Sequence, residues 1–140
     1  MVSFATQNIT YNLLPTTYNS MLVLNKHNAL QHYKWGNNCD GWVFVDADEL
    51  SVKQELMPPG TAESLHYHKN AQQVFFILKG IATFEVEGQF FSIKESEGFH
   101  IPAGKKHRIV NNANADLEFI LSSQPSTNND RFNCIEHEQN

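Results

Sequence analysis

At 140 residues the chain has the size of one domain, and its 41% hydrophobic content is enough core to fold without covalent staples. Fifteen acidic against ten basic residues set the formal charge at −5, which excludes the basic face a nucleic acid requires. No apolar run approaches the roughly 20 residues that span a bilayer, and the opening Met-Val-Ser-Phe-Ala-Thr-Gln lacks the charged and apolar regions of a secretory signal. Two cysteines, Cys39 and Cys134, have no CxxC spacing, so no disulfide framework is expected and a reducing cytoplasm is the simplest compartment.

Residues 1–34 form a polar zone rich in Asn and Thr, with one apolar island at 21–24. Leu13-Leu14-Pro15 works against a helix, because proline biases its predecessor toward extended backbone. Residues 29–35 suit a short helical turn that nothing sustains. The zone reads as an arm that packs on the domain or on a second copy.

From Gly41 short β-rich runs recur, at 42–45, 50–57, 73–78, 81–86, 90–93, 99–101, 108–110 and 117–122. Pro58-Pro59-Gly60, Lys79-Gly80, Glu87-Gly88, Pro102-Ala103-Gly104 and the polar stretch 111–116 separate them. Many short strands punctuated this way predict an all-β antiparallel sandwich or barrel over residues 35–124. In 81–87, Ala82, Phe84 and Val86 face one side while Thr83, Glu85 and Glu87 face the other. Residues 74–78 instead are apolar on both faces. One face fills a barrel, and the other calls for a cover by the arm or by a partner subunit, with a homodimer favoured over a second sheet of the same chain. After Gln124 the composition turns polar, and 125–140 reads as a weakly packed tail.

Three histidines have informative spacing. His66 and His68 flank Tyr67, and in extended backbone residues i and i+2 share a face, so both imidazoles can converge on one point. Alone, such a pair also suits two polar surface residues. The surrounding frame adds to it. The segment Gly60-x5-His66-x-His68-x4-Gln73-x6-Gly80 resembles the first motif of the cupin superfamily, and Pro102-x-Gly104-x2-His107-x3-Asn111 resembles the second, with 21 residues between them.

The resemblance implies a double-stranded β-helix, a jelly-roll-like barrel that holds one divalent metal (Zn, Ni, Fe or Mn) in its mouth. The ligands it implies are His66, His68 and His107, with Gln73 where the family pattern usually has Glu. Two departures stand out: the Gly-Asp that opens the second motif is replaced by Ser96-Glu97, a change at a turn, and Gln73 removes a charge. Three neutral imidazoles and a neutral amide leave a bound ion formally 2+, which favours weaker intrinsic affinity, greater Lewis acidity and a stronger pull on an anion. If Gln73 does not ligate, a three-His face with open positions remains.

Other candidates are weaker. His100 lies near Pro102 and is a candidate pocket acid or base, although a core or rim histidine fits as well. Gln54 and Glu55 precede the first motif, and whichever points inward is a candidate general base. Lys105 and Lys106 sit in a loop near His107, and strand parity turns Arg108 away from it. His27, His32 and His137 have no partner at metal spacing.

Three functions fit such a barrel. The first is a metal-dependent enzyme acting on a small oxygenated, sugar- or uronate-like substrate by enolate-type isomerisation or lyase chemistry; the ligand set resembles that of cupins that linearise unsaturated uronates. The second is a dioxygenase of the quercetinase-like type, with Phe75, Ile77, Phe84 and Phe99 as an apolar wall. The third is a non-catalytic barrel that binds metal and ligand as a sensor. All three expect a small-molecule ligand and no nucleic acid or membrane.

Overall fold

The computed structural model describes residues 21–135; the first part of the expected arm and the end of the expected tail lie outside them. Among the described residues one 3-10 turn, Lys26–Asn28, is capped by Asn25, whose side chain accepts from the amides of His27 and Asn28. Everything else regular among them is strand: β1 (Gln31–Trp35), β2 (Cys39–Ala47), β3 (Leu50–Met57), β4 (Thr61–Ala62), β5 (His66–Tyr67), β6 (Gln72–Lys79), β7 (Ala82–Val86), β8 (Gln89–Ile93), β9 (Gly98–Ile101), β10 (His107–Asn111), β11 (Leu117–Gln124) and β12 (Phe132–Asn133).

Two sheets face each other. One runs β1-β2-β3-β11-β6-β9 and the other β12-β5-β10-β7-β8, with β4 also on β10. Every pairing is antiparallel. This is the all-β antiparallel barrel that the strand pattern predicts. Alternation decides what fills it: Phe75 and Ile77 from β6, Phe119 and Leu117 from β11, Phe84 and Ala82 from β7, and Ile109 from β10 are buried together. The rings of Phe75 and Phe84 meet edge-on across the two sheets at 4.9 Å. Full burial of side chains of this size contributes roughly 1.5–3 kcal/mol each. The Glu87-Gly88 turn joins β7 to β8 with both residues at positive φ, the left-handed geometry that matches the strands' twist.

Two expectations need correcting. Residues 29–35 are not a helical turn, because β1 pairs with β2 from Gln31 opposite Val43 to Trp35 opposite Cys39. The ladder satisfies the backbone there, and Tyr33 and Trp35 turn toward the barrel at strand parity. Residues 125–135 are also not loosely attached: Asp130 is buried, β12 pairs with β5, and Tyr67 and Phe132 stack at 5.2 Å.

The outer face of β6 matches its sequence pattern. Val74, Phe76 and Leu78 are 45%, 44% and 43% exposed, and no other described strand covers them. Met21 and Val23 of the apolar island also stand exposed. Both cysteines are free thiols, Cys39 buried and Cys134 half-buried. No helix among the described residues is long and apolar enough to cross a membrane.

Candidate metal centre

Short strand β5 leads into the site. His66 and His68 point inward and Tyr67 outward onto Phe132, as the i, i+2 spacing requires. The pairing of β10 with β5 sets His107 directly opposite His66. All three imidazoles are buried, and a ligand atom from each lies within 4.8 Å of the others.

The nitrogens not used for convergence are all tied back to the main chain. Nδ1 of His66 meets the carbonyl of Ser64 at 2.7 Å, Nδ1 of His68 that of Asp130 at 2.8 Å, and Nδ1 of His107 that of Lys105 at 2.8 Å. A carbonyl only accepts, so each Nδ1 carries the proton and each Nε2 presents a lone pair. Burial pushes the imidazoles down, His66 to about 3 and His107 to about 4, with His68 lowered in the same way. The positive charge of Arg131 adds to this in all three. They are therefore neutral at pH 7.

Gln73, inward on β6, completes the set. Its amide nitrogen lies 3.1 Å from the Ser123 hydroxyl and its Oε1 3.1 Å from Nε2 of His107. In this orientation two lone pairs face each other, whereas the flipped amide donates to His107 and accepts from Ser123. Nε2 of His68 is buried with no partner. Buried acceptors without donors cost free energy unless a cation satisfies them. The residues present fit a metal.

The site is held in place from far along the chain. The Asp130 carboxylate accepts from the amides of Lys69, Asn70 and Ala71 at 2.8–3.3 Å, immediately after His68, while its carbonyl holds the imidazole itself. Desolvation opposes ionisation of this carboxyl, but the three amides hold it below its usual range.

A second buried polar group is built on β1 and β3. Glu55 points inward, and Gln54 points outward to Glu118. The Tyr33 hydroxyl donates to the Glu55 carboxylate. Burial raises the carboxyl of Glu55, and the Tyr33 hydrogen bond partly offsets it; burial also raises the phenol of Tyr33. Room for that ring comes from Gly41, where a Cβ would lie 2.1 Å from the Tyr33 ring. Glu63 sits 3.9 Å from His66, and its carboxyl is raised by burial to about 7 against the pull of Arg131.

The remaining candidates lie elsewhere. His100 is on the outer face of β9, exposed and bonded to Gln72, so it does not line the pocket. Arg108 faces outward and pairs with Glu85, as its parity predicts. Phe75, Ile77 and Phe84 are sealed in the core. The sequence reading passed over Tyr33, Glu63, Ser123, Asp130 and Arg131.

The family model for the cupin domain matches residues 54–123. The chain belongs to the cupin family. Curated relatives of this cupin include an uncharacterised protein of Methanocaldococcus jannaschii, 24% identical over 61% of this chain and 69% of that one. An oxalate-binding protein of Thermotoga maritima is 34% identical over 46% of this chain and 53% of its own. The match thus spans about half the length of the Thermotoga protein. Among solved structures, KdgF of a Halomonas species superimposes with TM-score 0.68 at 16% identity, covering 76% of this chain and 96% of the other. A sugar phosphate isomerase of Silicibacter pomeroyi gives TM-score 0.65 at 16% identity, covering 75% and 76%. At these identities the structural likeness establishes the fold. Tyr33 and the Asp130–Arg131 pair both lie outside the matched segment of the cupin domain.

Proposed function

We propose that this cupin binds one divalent transition metal through His66, His68, His107 and Gln73, and is an enzyme acting on a small oxygenated substrate of sugar or uronate type by isomerisation or lyase chemistry. The observation that carries the reading is the convergence of three buried, neutral imidazoles, each tied back through Nδ1 so that Nε2 is presented inward, beside the Gln73 amide. When bound, the metal supplies Lewis acidity toward substrate oxygens, undiminished by any carboxylate ligand.

The chain's own residues supply the rest. Ser123 hydrogen-bonds the Gln73 amide. Glu55 is the candidate proton acceptor: burial raises its basicity, and Tyr33 orients it through the hydroxyl proton. His100 has no part in this scheme. The exposed outer face of β6 is the surface on which a second copy of the chain would pair.

A second reading is a barrel that holds metal and ligand without turnover, and the relative described as an oxalate-binding protein favours it. Elemental analysis of untagged wild type and His68→Ala tests the metal. Near-stoichiometric metal in the wild type and little in the variant supports the site; equal, substoichiometric metal in both overturns it. Loss of an unsaturated uronate's absorbance faster than in a metal-stripped control supports the enzyme. Binding without turnover across a panel of sugars and uronates supports the second reading.

A further inference from the structure

β8 ends its sheet: it pairs with β7 on one side and with nothing among the described residues on the other. Across the two-residue Glu87-Gly88 turn, Val86 and Gln89 form the closing hydrogen-bonded pair. Antiparallel pairs alternate, so Phe84–Phe91 and Ala82–Ile93 also exchange both bonds, whereas Phe90 and Ser92 face Glu85 and Thr83 in non-bonded pairs. The main-chain N–H and C=O groups of Phe90 and Ser92 therefore point away from β7, along the open edge. The next amide in that row, of Lys94, is already taken by the Glu97 carboxylate at 2.8 Å.

Edges of this kind are usually blunted by a charge, a proline or a bulge. Gln89-Phe90-Phe91-Ser92-Ile93 has none of these. Its aromatic side chains stand uncovered on both faces of the sheet. Phe90 is 67% exposed on the outer face, and Phe91 is 37% exposed on the inner one, where its ring meets Phe99 of the other sheet at 5.2 Å.

We propose that β8 pairs antiparallel with β8 of a second copy about a two-fold axis, joining their sheets into one. The free backbone groups set the register. Centred on Phe91, the pairing sets Phe90 against the partner's Ser92 twice, so every free N–H meets a free carbonyl. Centred on Phe90, it would set Ser92 against the partner's Gly88, inside the turn. Centred on Ser92, it would set Phe90 against the partner's Lys94, whose amide is committed to Glu97. The Phe91 centring also brings Lys94 to the partner's Gly88, beside the partner's Glu87. Lys94 has no ion pair among the described residues, so the contact supplies one at each end. β8 and β6 belong to different sheets, and this contact requires neither the β6 face nor a metal.

The test is the mass of the untagged full chain by light scattering at about 10–100 µM, the range of a small interface. Ser92→Pro removes an N–H that the single copy does not use, and proline is tolerated on an edge strand. Phe90→Lys places a charge on the same edge. Both variants, with the wild-type circular dichroism, are expected to halve the mass of the assembly: dimer to monomer, or tetramer to dimer where the β6 face pairs as well. In a Cys134→Ser background, Phe91→Cys should form an intermolecular disulfide on oxidation, because a non-bonded pair brings Cα atoms to about 4.5 Å. A monomeric wild type overturns the inference, and so does unchanged mass in either folded variant. Should Ser92→Pro fail to fold, Phe90→Lys decides. Halving by Phe76→Lys alone assigns the pairing to β6 and overturns it too. Absence of the Phe91→Cys disulfide overturns the register.

Discussion

Replacing Asp130 by Ala separates the support of the centre from its ligands. The carboxylate receives three backbone amides, at 2.8 Å from Lys69, 3.0 Å from Asn70 and 2.9 Å from Ala71. Hydrogen bonds to a charged group are worth roughly 1.5–3 kcal/mol each, but they do not add. Lys69 and Asn70 are exposed, so water can replace the carboxylate there; Ala71 is buried and its amide would be stranded. The net cost is therefore about 2–4 kcal/mol, or a fall in Tm of roughly 6–15 °C for a domain of this size. The backbone carbonyl that holds His68 Nδ1 belongs to the same residue; alanine retains it but frees the segment that positions it, and loosening of such an outer support lowers metal affinity by up to about 10- to 100-fold. Thermal unfolding of the metal-free protein and chelator competition with Zn(II) measure the two effects. Asp130→Asn keeps one acceptor oxygen and falls between. The reasoning is refuted if Asp130→Ala melts with the wild type and binds Zn(II) equally well. The pH dependence gives a further check. The folded carboxyl titrates below its ordinary 3.8, so its stabilisation is present above that value and lost as pH falls through the folded one. The gap between wild type and variant should close in strong acid.

Three other outcomes are expected. Gln73→Glu places a charge against the 2+ ion, an attraction of ~8 kcal/mol at about 4 Å separation and an effective dielectric of about 20 before desolvation is subtracted, so Zn(II) affinity should rise at least about tenfold; unchanged affinity in chelator competition means that Gln73 does not ligate. Because His66 and His107 titrate near 3 and 4, Zn(II) affinity should hold from pH 8 to about 5 and then fall, where ordinary imidazoles would lose it from about 6.5. For the same groups in the metal-free protein, the folded values lie below the unfolded one, so stability is full above about 6.5 and declines toward pH 3; constant stability across that range contradicts the burial argument. Tyr33→Phe removes the hydrogen bond that lowers Glu55, costing about 1–3 kcal/mol. It should move the acid limb of any activity profile upward in pH, and an unmoved limb removes Glu55 from the chemistry.

The eight β-rich runs of the sequence correspond to the eight longest strands after β1, because alternating burial and turn residues are local signals. His66 and His68 are legible for the same reason, since two residues along a strand share a face whatever surrounds them. β1 is not, because Gln31-His32-Tyr33-Lys34-Trp35 is too short a run to separate the two periods, and Gln and Lys are good helix formers. Only its pairing with β2 decides the matter. Asp130 and Arg131 sit in a run of Ser, Thr, Asn and Asp whose composition resembles a free tail. Asp130 acts on amides and an imidazole some 60 residues away, which no local pattern records. Gly41 hides in the same way: its missing side chain matters only because Tyr33 lies across it.

The carbonyl of Asp130 reaches back 62 residues to His68, and β11 zips onto both β3 and β6. Contacts this distant in sequence give the domain a high contact order, which places its folding among the slower, millisecond-to-second reactions of small β proteins. Synthesis runs from the N-terminus, so His68 and Gln73 leave the ribosome well before Asp130 and Ser123, which brace them. A nascent chain therefore carries these two side chains for a time without the clasp that tightens them. The ordered pocket forms only once residue 130 has been made.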